Sequence, residues 1–127
     1  MRAARQRVLI ASIFTLVFAA GFSFAQSDPN LYVKDTATGS GDGSSWANAF
    51  TSLQDALAYA RSTSFEGDIW VARAVNNGGV YVPDLSGKDR NASFELVRNV
   101  RIMGGFAGNE TQLNQRDIYN NPTVISG

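Results

Sequence analysis

A polar loop near the carboxyl end carries the residues whose types best suit acid–base chemistry. Glu110, Arg116 and Asp117 lie together in it. Carboxylates beside an arginine are what a β-eliminating polysaccharide lyase needs, because a cation holds the uronate while a base removes the proton. The simpler interpretation is that Arg116 pairs with a loop carboxylate and orders the turn, and we favour it. We therefore assign no catalytic residue.

A glycine-rich loop at residues 35–45 is the second candidate for chemistry. Asp35 and Asp42 in this loop could supply oxygen ligands to Ca²⁺, which takes six to eight of them. Their spacing does not match the EF-hand pattern, and Asp-Gly is a common turn pair. We expect a plain turn and assign no metal-binding or cofactor-binding residue, with Ca²⁺ as the weaker alternative.

Aromatic residues provide the third candidate, because aromatic faces suit the apolar faces of sugar rings. A sugar-stacking platform could be built from Trp46, Trp70, Tyr81 and Phe106. Trp70 stands between two aliphatic residues of a strand, so its side chain points away from theirs. Packing within the protein is the simpler interpretation for all four, and sugar binding is the alternative.

Composition excludes several classes of function. The chain has 127 residues, with no Cys and no His. This excludes disulfides, thiolate zinc sites, cysteine nucleophiles and imidazole-based catalysis. The formal net charge is zero, but Arg2, Arg5 and Arg7 stand at the amino end, so the rest has an acidic excess. A strongly basic nucleic-acid binder is therefore excluded.

The first residues have the order of a secretory signal peptide. The three arginines precede a mostly apolar stretch at 8–20, and Ser23-Phe24-Ala25 offers small residues for a cut after Ala25. We predict a signal peptide at 1–25 and a mature domain at 26–127, exported to the extracellular space or the outer-membrane surface. A retained anchor is the alternative, and with cleavage we expect no membrane span.

Periodicity then predicts one helix and several short strands. Apolar residues at Leu53, Ala56, Leu57 and Ala60 recur at helical spacing, which predicts a helix over 52–61 with a capping box at Thr51 and Gln54. Short extended segments are predicted at 31–34, 69–71, 80–82, 93–97, 100–103 and 123–125. Gly104 and Gly105 are expected to end the fifth of these.

The spacing of the strands favours a β-solenoid. Short β segments recur about every 20–25 residues with no helix between them, as in stacked turns of a solenoid. A β-sandwich would favour hairpins at about 8–12-residue spacing, and the segments around Val80 and Val97 leave that alternative open. The sequence thus predicts an all-β fold.

Several segments, taken in order, resemble the N-terminal region of bacterial right-handed parallel β-helix repeat proteins. These are the pectin-lyase-like surface proteins that include the polymorphic outer-membrane protein group. The segments are LYV at 31–33, GDGSSWANAF at 41–50, LQDAL at 53–57, GDIWVA at 67–72, GGFAGNET at 104–111, QRD at 115–117 and NPTVISG at 121–127. The resemblance covers nearly all of 30–127.

The resemblance implies a parallel β-helix whose first rungs are capped by the helix at 52–61. The alternative is that this is an ordinary core helix of an α+β domain. Because a rung needs neighbours and the last strand would leave an open edge, we expect 26–127 to be a truncated piece that further rungs complete. The implied function is a non-catalytic surface scaffold for adhesion or for binding a polysaccharide or cell-surface glycan. The alternative is the N-terminal piece of a polysaccharide lyase or glycoside hydrolase.

Overall fold

The computed structural model describes residues 30–127, so the predicted signal peptide lies outside the described residues. This part of the chain contains one α-helix and five short strands. They are β1 (Asn30–Val33), α1 (Leu53–Thr63), β2 (Gly67–Ala72), β3 (Val80–Tyr81), β4 (Val100–Phe106) and β5 (Val124–Ile125). Two 3-10 turns at Asn77–Gly79 and Leu113–Gln115 complete the regular structure.

All strand pairs in the two small sheets are parallel. The larger sheet has the order β1-β2-β4, and the smaller pairs β3 with β5. Neighbouring parallel strands need a long crossover connection, and α1 lies in the crossover from β1 to β2. The beginning of the described chain is therefore a β-α-β arrangement.

Helix α1 forms where the sequence predicts it. The Ser52 hydroxyl caps the helix by accepting a hydrogen bond from the Asp55 N–H at 3.4 Å, one residue later than the predicted cap at Thr51. Ser64 ends it in the left-handed conformation, with φ 53°. The apolar face is buried in one core with alternate residues of β1 and β2. That core includes Leu53, Ala56, Leu57, Ala60, Leu31, Val33, Ile69 and Val71.

Tyr32 of β1, together with Trp70 and Ala72 of β2, belongs to a second, aromatic core. Trp70, Ala72 and Phe106 form its buried centre, and Tyr32, Trp46 and Met103 pack around them. Side chains alternate between the two faces of a strand, so one sheet supports both cores.

A register shift brings Phe106 into this aromatic core. Trp70 pairs with Met103 and Ala72 pairs with Phe106, so β4 has one extra residue between these pairs. On a regular strand, residues three positions apart point to opposite faces, so Met103 and Phe106 would be on different sides of the sheet. The shift occurs at Gly104 and Gly105, and Gly105 has φ 91°. The prediction that the two glycines end the strand is wrong, because β4 runs through them to Phe106.

The predicted all-β, right-handed parallel β-helix is wrong. Residues 30–127 form a mixed unit of one helix and short parallel strands in two small sheets, without a solenoid. The recurrence of β segments reflects parallel pairing within a small sheet, and α1 is a crossover helix packed in the core. It is therefore not the cap of a first rung.

The predicted strand at 93–97 is also wrong. This segment is irregular and lies along α1, where the Gln54 side-chain amide donates to the Ser93 carbonyl at 3.1 Å. Arg61 donates to the Glu95 carbonyl at 3.1 Å and forms an ion pair with its carboxylate at 3.2 Å. Phe94 and Val97 pack against the helix-side core. The alternating pattern therefore reflects docking against a helix.

None of the helices in 30–127 has the length and hydropathy needed to cross a bilayer.

Candidate functional site

A small cleft lies where the loop after β1, the start of α1 and the segment around β3 come together. Its volume is about 170 Å³. Pockets for drug-sized ligands run to about 300–1,000 Å³, so this cleft suits one small ring or group. It is lined by Asp35, Thr51, Ser52, Asn76, Asn77, Val80, Tyr81, Val82 and Leu85.

Asp35 joins the loop after β1 to the segment that precedes β3. Its Oδ2 accepts hydrogen bonds from the backbone N–H groups of Val75 at 2.7 Å and Asn76 at 2.6 Å. The Asn76 side chain donates to the Asp35 carbonyl at 3.2 Å. The other carboxylate oxygen of Asp35, Oδ1, is buried and has no hydrogen-bond partner among the described residues. The carboxylate is thus fixed in place with one acceptor oxygen unused.

Tyr81 forms an apolar wall of the cleft. The residue is buried, and its hydroxyl donates to the Ala72 carbonyl at 2.9 Å. Burial raises the pKa of Tyr81, and the negative charge of Asp35 raises it further. The phenol is therefore neutral at physiological pH. Leu85 extends the apolar surface and is 71% exposed, which is high for a leucine.

Hydroxyl and amide groups supply the remaining polar lining. The Asn77 side chain donates to the Val80 carbonyl at 3.3 Å, which orders the turn before β3. Asn77 has φ 51°, and asparagine tolerates the left-handed region better than most residues. Thr51 is exposed beside the Ser52 cap of α1. The cleft therefore combines a carboxylate, amides and hydroxyls with an apolar wall.

The structure separates the two aspartates that were considered as calcium ligands. Asp35 lines the cleft, whereas the exposed Asp42 accepts hydrogen bonds from the N–H and hydroxyl of Ser44 at 2.9 and 2.6 Å. The hydrogen bond from the Ser44 hydroxyl lowers the pKa of Asp42 most, and the bond from the Ser44 N–H lowers it further. Among residues 30–127 no group of three or more acidic or other ligand side chains is placed to hold a metal ion.

The three residues considered for acid–base chemistry have separate sets of partners. The buried Glu110 carboxylate accepts from the N–H groups at positions 107, 108 and 109 at 2.7, 2.9 and 3.0 Å. Arg116 donates to the Gly104 carbonyl at 3.5 Å, and Asp117 accepts from the N–H groups of Tyr119 and Asn120. The expected pairing of Arg116 with a loop carboxylate is not found among the described residues, and all three side chains organise the backbone.

The four aromatic candidates divide between the two cores. Trp46, Trp70 and Phe106 are together in the aromatic core, whereas Tyr81 lies in the helix-side core. Trp70 and Phe106 are buried, so neither presents a face to a ligand. Tyr32 also belongs to the aromatic core and packs edge-on against Trp46, at 4.8 Å between ring centroids. Its two-residue alternation with buried Leu31 and Val33 is a signal that could have placed it there.

The cleft itself was missed at the level of sequence. The hydrogen bonds that Asp35 accepts from Val75 and Asn76 span 40 and 41 residues. No local pattern reports a pairing at that distance.

No family model, curated protein or solved structure matches this chain. The resemblance to β-helix repeat proteins stays a prediction from motifs, and the fold class that it implied is wrong.

Proposed function

We propose that this protein is an exported carbohydrate-binding module whose ligand site is the Asp35 cleft. Sugar sites need polar groups that exchange hydrogen bonds with hydroxyls and an apolar surface for the C–H face of the ring. The lining of the cleft provides both, and this combination is the observation that carries the proposal.

The negative charge of Asp35 supports a ligand that brings hydrogen-bond donors. Its Oδ1 has almost no solvent-accessible surface, so the carboxylate attracts such donors through its charge and not through a free oxygen at the surface. Sugar hydroxyls are donors as well as acceptors, and the amides of Asn76 and Asn77 at the same cleft can serve either role.

Export is part of the proposal because of the predicted leader at 1–25. A module delivered to the cell surface would meet polysaccharides or cell-surface glycans, which are the partners that we propose. We propose binding of such a glycan for adhesion, without a catalytic step.

The proposal is tested by binding of the full chain to immobilised galactan, chitosan and polygalacturonate. Thr51 is exposed in the lining of the cleft, so Thr51→Tyr adds a large side chain there. Thr38→Tyr makes the same change at an exposed loop position away from the cleft and serves as the control.

We expect the wild type and Thr38→Tyr to bind at least one of the glycans and Thr51→Tyr to lose about tenfold or more in affinity. Binding that survives in Thr51→Tyr would place the site elsewhere. Failure of the wild type to bind any glycan would reject the proposal.

A further inference from the structure

Among the residues that line the cleft, Asp35 alone carries a charge at neutral pH. The other eight are neutral side chains, with no lysine and no arginine among them. Any ligand in the cleft therefore approaches a negative charge that has no cationic partner in the lining.

The charge of Asp35 is also weakly compensated by its own surroundings. Its hydrogen bonds come from the backbone N–H groups of Val75 and Asn76, and the structure records no ion pair to it among residues 30–127. Backbone N–H groups are dipoles, so they stabilise the carboxylate without removing its net charge. Its field therefore extends into the cleft, which is open to solvent and salt.

We infer that the cleft selects sugars by charge, favouring amino sugars over neutral sugars and rejecting uronic acids. This inference rests on the proposed function and specifies its ligand class. An ammonium group brings a positive charge toward the Asp35 carboxylate, which attracts it. A uronate presents a second carboxylate, and like charges at short range are unfavourable.

Uronates, the substrates of a pectin-degrading enzyme, are poorly suited to the cleft. A site for a uronate needs a cation to hold its carboxylate. Arg116, the cation that the sequence offered for holding a uronate, donates to the Gly104 carbonyl and is absent from the cleft lining.

The test compares galactosamine, galactose and galacturonate in titration calorimetry with the full chain. The three share one ring and differ in charge. At about 10 mM salt, we expect galactosamine to bind about tenfold more tightly than galacturonate, with galactose between them. At about 500 mM salt the differences should shrink, because exposed charges are screened.

Asp35→Asn is the matched variant, because the amide keeps an oxygen to accept from Val75 and Asn76 while removing the charge. It should lose the preference for the amine, so that the affinities for galactosamine and galactose become similar. Asp42→Asn removes the same charge from the same loop outside the cleft and should keep the preference. The salt dependence of the wild type tests the inference independently of how the variant folds.

The two ways of failing are distinct. If galacturonate binds as tightly as galactosamine, or if Asp35→Asn keeps the order of affinities, the charge inference is overturned while carbohydrate binding stands. If none of the three sugars binds and no glycan is retained, the proposed function fails and the inference with it.

Discussion

The indole of Trp70 stacks on the ring of Phe106, with centroids 4.7 Å apart and planes inclined by 12°. Both residues are buried, on neighbouring parallel strands. This contact exists because the register shift at Gly104 and Gly105 brings Phe106 to the Trp70 side of the sheet. It defines the aromatic core as a structural layer that is distinct from the cleft.

Phe106→Ala should therefore destabilise the fold strongly. Removal of a fully buried phenylalanine costs about 3–5 kcal/mol through lost burial and the cavity left behind. Urea unfolding followed by tryptophan fluorescence would measure the change. Leu96→Ala is the control, because Leu96 is 76% exposed and its removal should change the free energy of unfolding by less than about 0.5 kcal/mol. Similar midpoints for the two variants would contradict this account of the core.

Gly105→Ala should destabilise the protein more than Gly87→Ala. Both glycines have positive φ, 91° and 66°, where a Cβ costs about 1–2 kcal/mol. A Cβ at Gly105 would also lie 2.7 Å from Ile118 Cγ2 and 3.3 Å from its backbone, whereas Gly87 has open space. The two variants are compared by their free energies of unfolding in chemical denaturation. The difference between them measures the cost of the contact between the new Cβ at position 105 and Ile118. Equal losses would show that Ile118 moves aside freely.

Glu110→Gln should destabilise the protein near neutral pH and weaken the acid dependence of its stability. Burial alone would raise the pKa of Glu110, but the three backbone N–H donors overcome it and hold the pKa below its usual value. A carboxyl group with a lowered folded pKa stabilises the fold above its unfolded pKa, and this is lost as pH falls through the folded value.

Glu110→Gln should lower the free energy of unfolding by about 1–3 kcal/mol, because the side-chain amide cannot accept from all three backbone N–H groups. Denaturation at a series of pH values between neutral and acid measures both effects. Glu66→Gln changes an exposed glutamate and is the control. If the free energy of unfolding falls equally steeply with decreasing pH in the wild type and in Glu110→Gln, Glu110 is not the source of this pH dependence.

The ion pair between Asp68 and Arg101 tests the pairing of β2 with β4. The two residues are register partners, and Arg101 Nε lies 2.6 Å from Asp68 Oδ1. Asp68 is buried, but the Arg101 side chain is 63% exposed, so solvent screens the pair. A double-mutant cycle with Asp68→Asn and Arg101→Met should give a coupling energy of about 1 kcal/mol. Additive effects would contradict the register.

The sequence predicted what local patterns can determine. Helix α1 follows from the spacing of Leu53, Ala56, Leu57 and Ala60 and from a capping residue before them. Most strands follow from short apolar segments bounded by turns. These features depend on neighbours within a few residues, so a single chain suffices to predict them.

Features that depend on distant partners were not predictable in this way. The alternation at 93–97 is equally compatible with a strand and with docking along α1, and the partner decides between them. The place of Phe106 depends on a register shift that only the pairing with β2 reveals. The cleft depends on hydrogen bonds that Asp35 accepts from Val75 and Asn76, 40 and 41 positions away. Recurrent strand spacing likewise did not specify the architecture, because a small parallel sheet satisfies it without a solenoid.

The most direct measurement of the central claim is a ¹H–¹⁵N NMR titration of the full chain with galactosamine. We predict saturable shifts concentrated at the backbone amides of Asn76, Asn77 and Val80, with the indole N–H of Trp46 unchanged. Shifts confined to Trp46 and its aromatic neighbours, or no saturable shift at the cleft, would contradict the account.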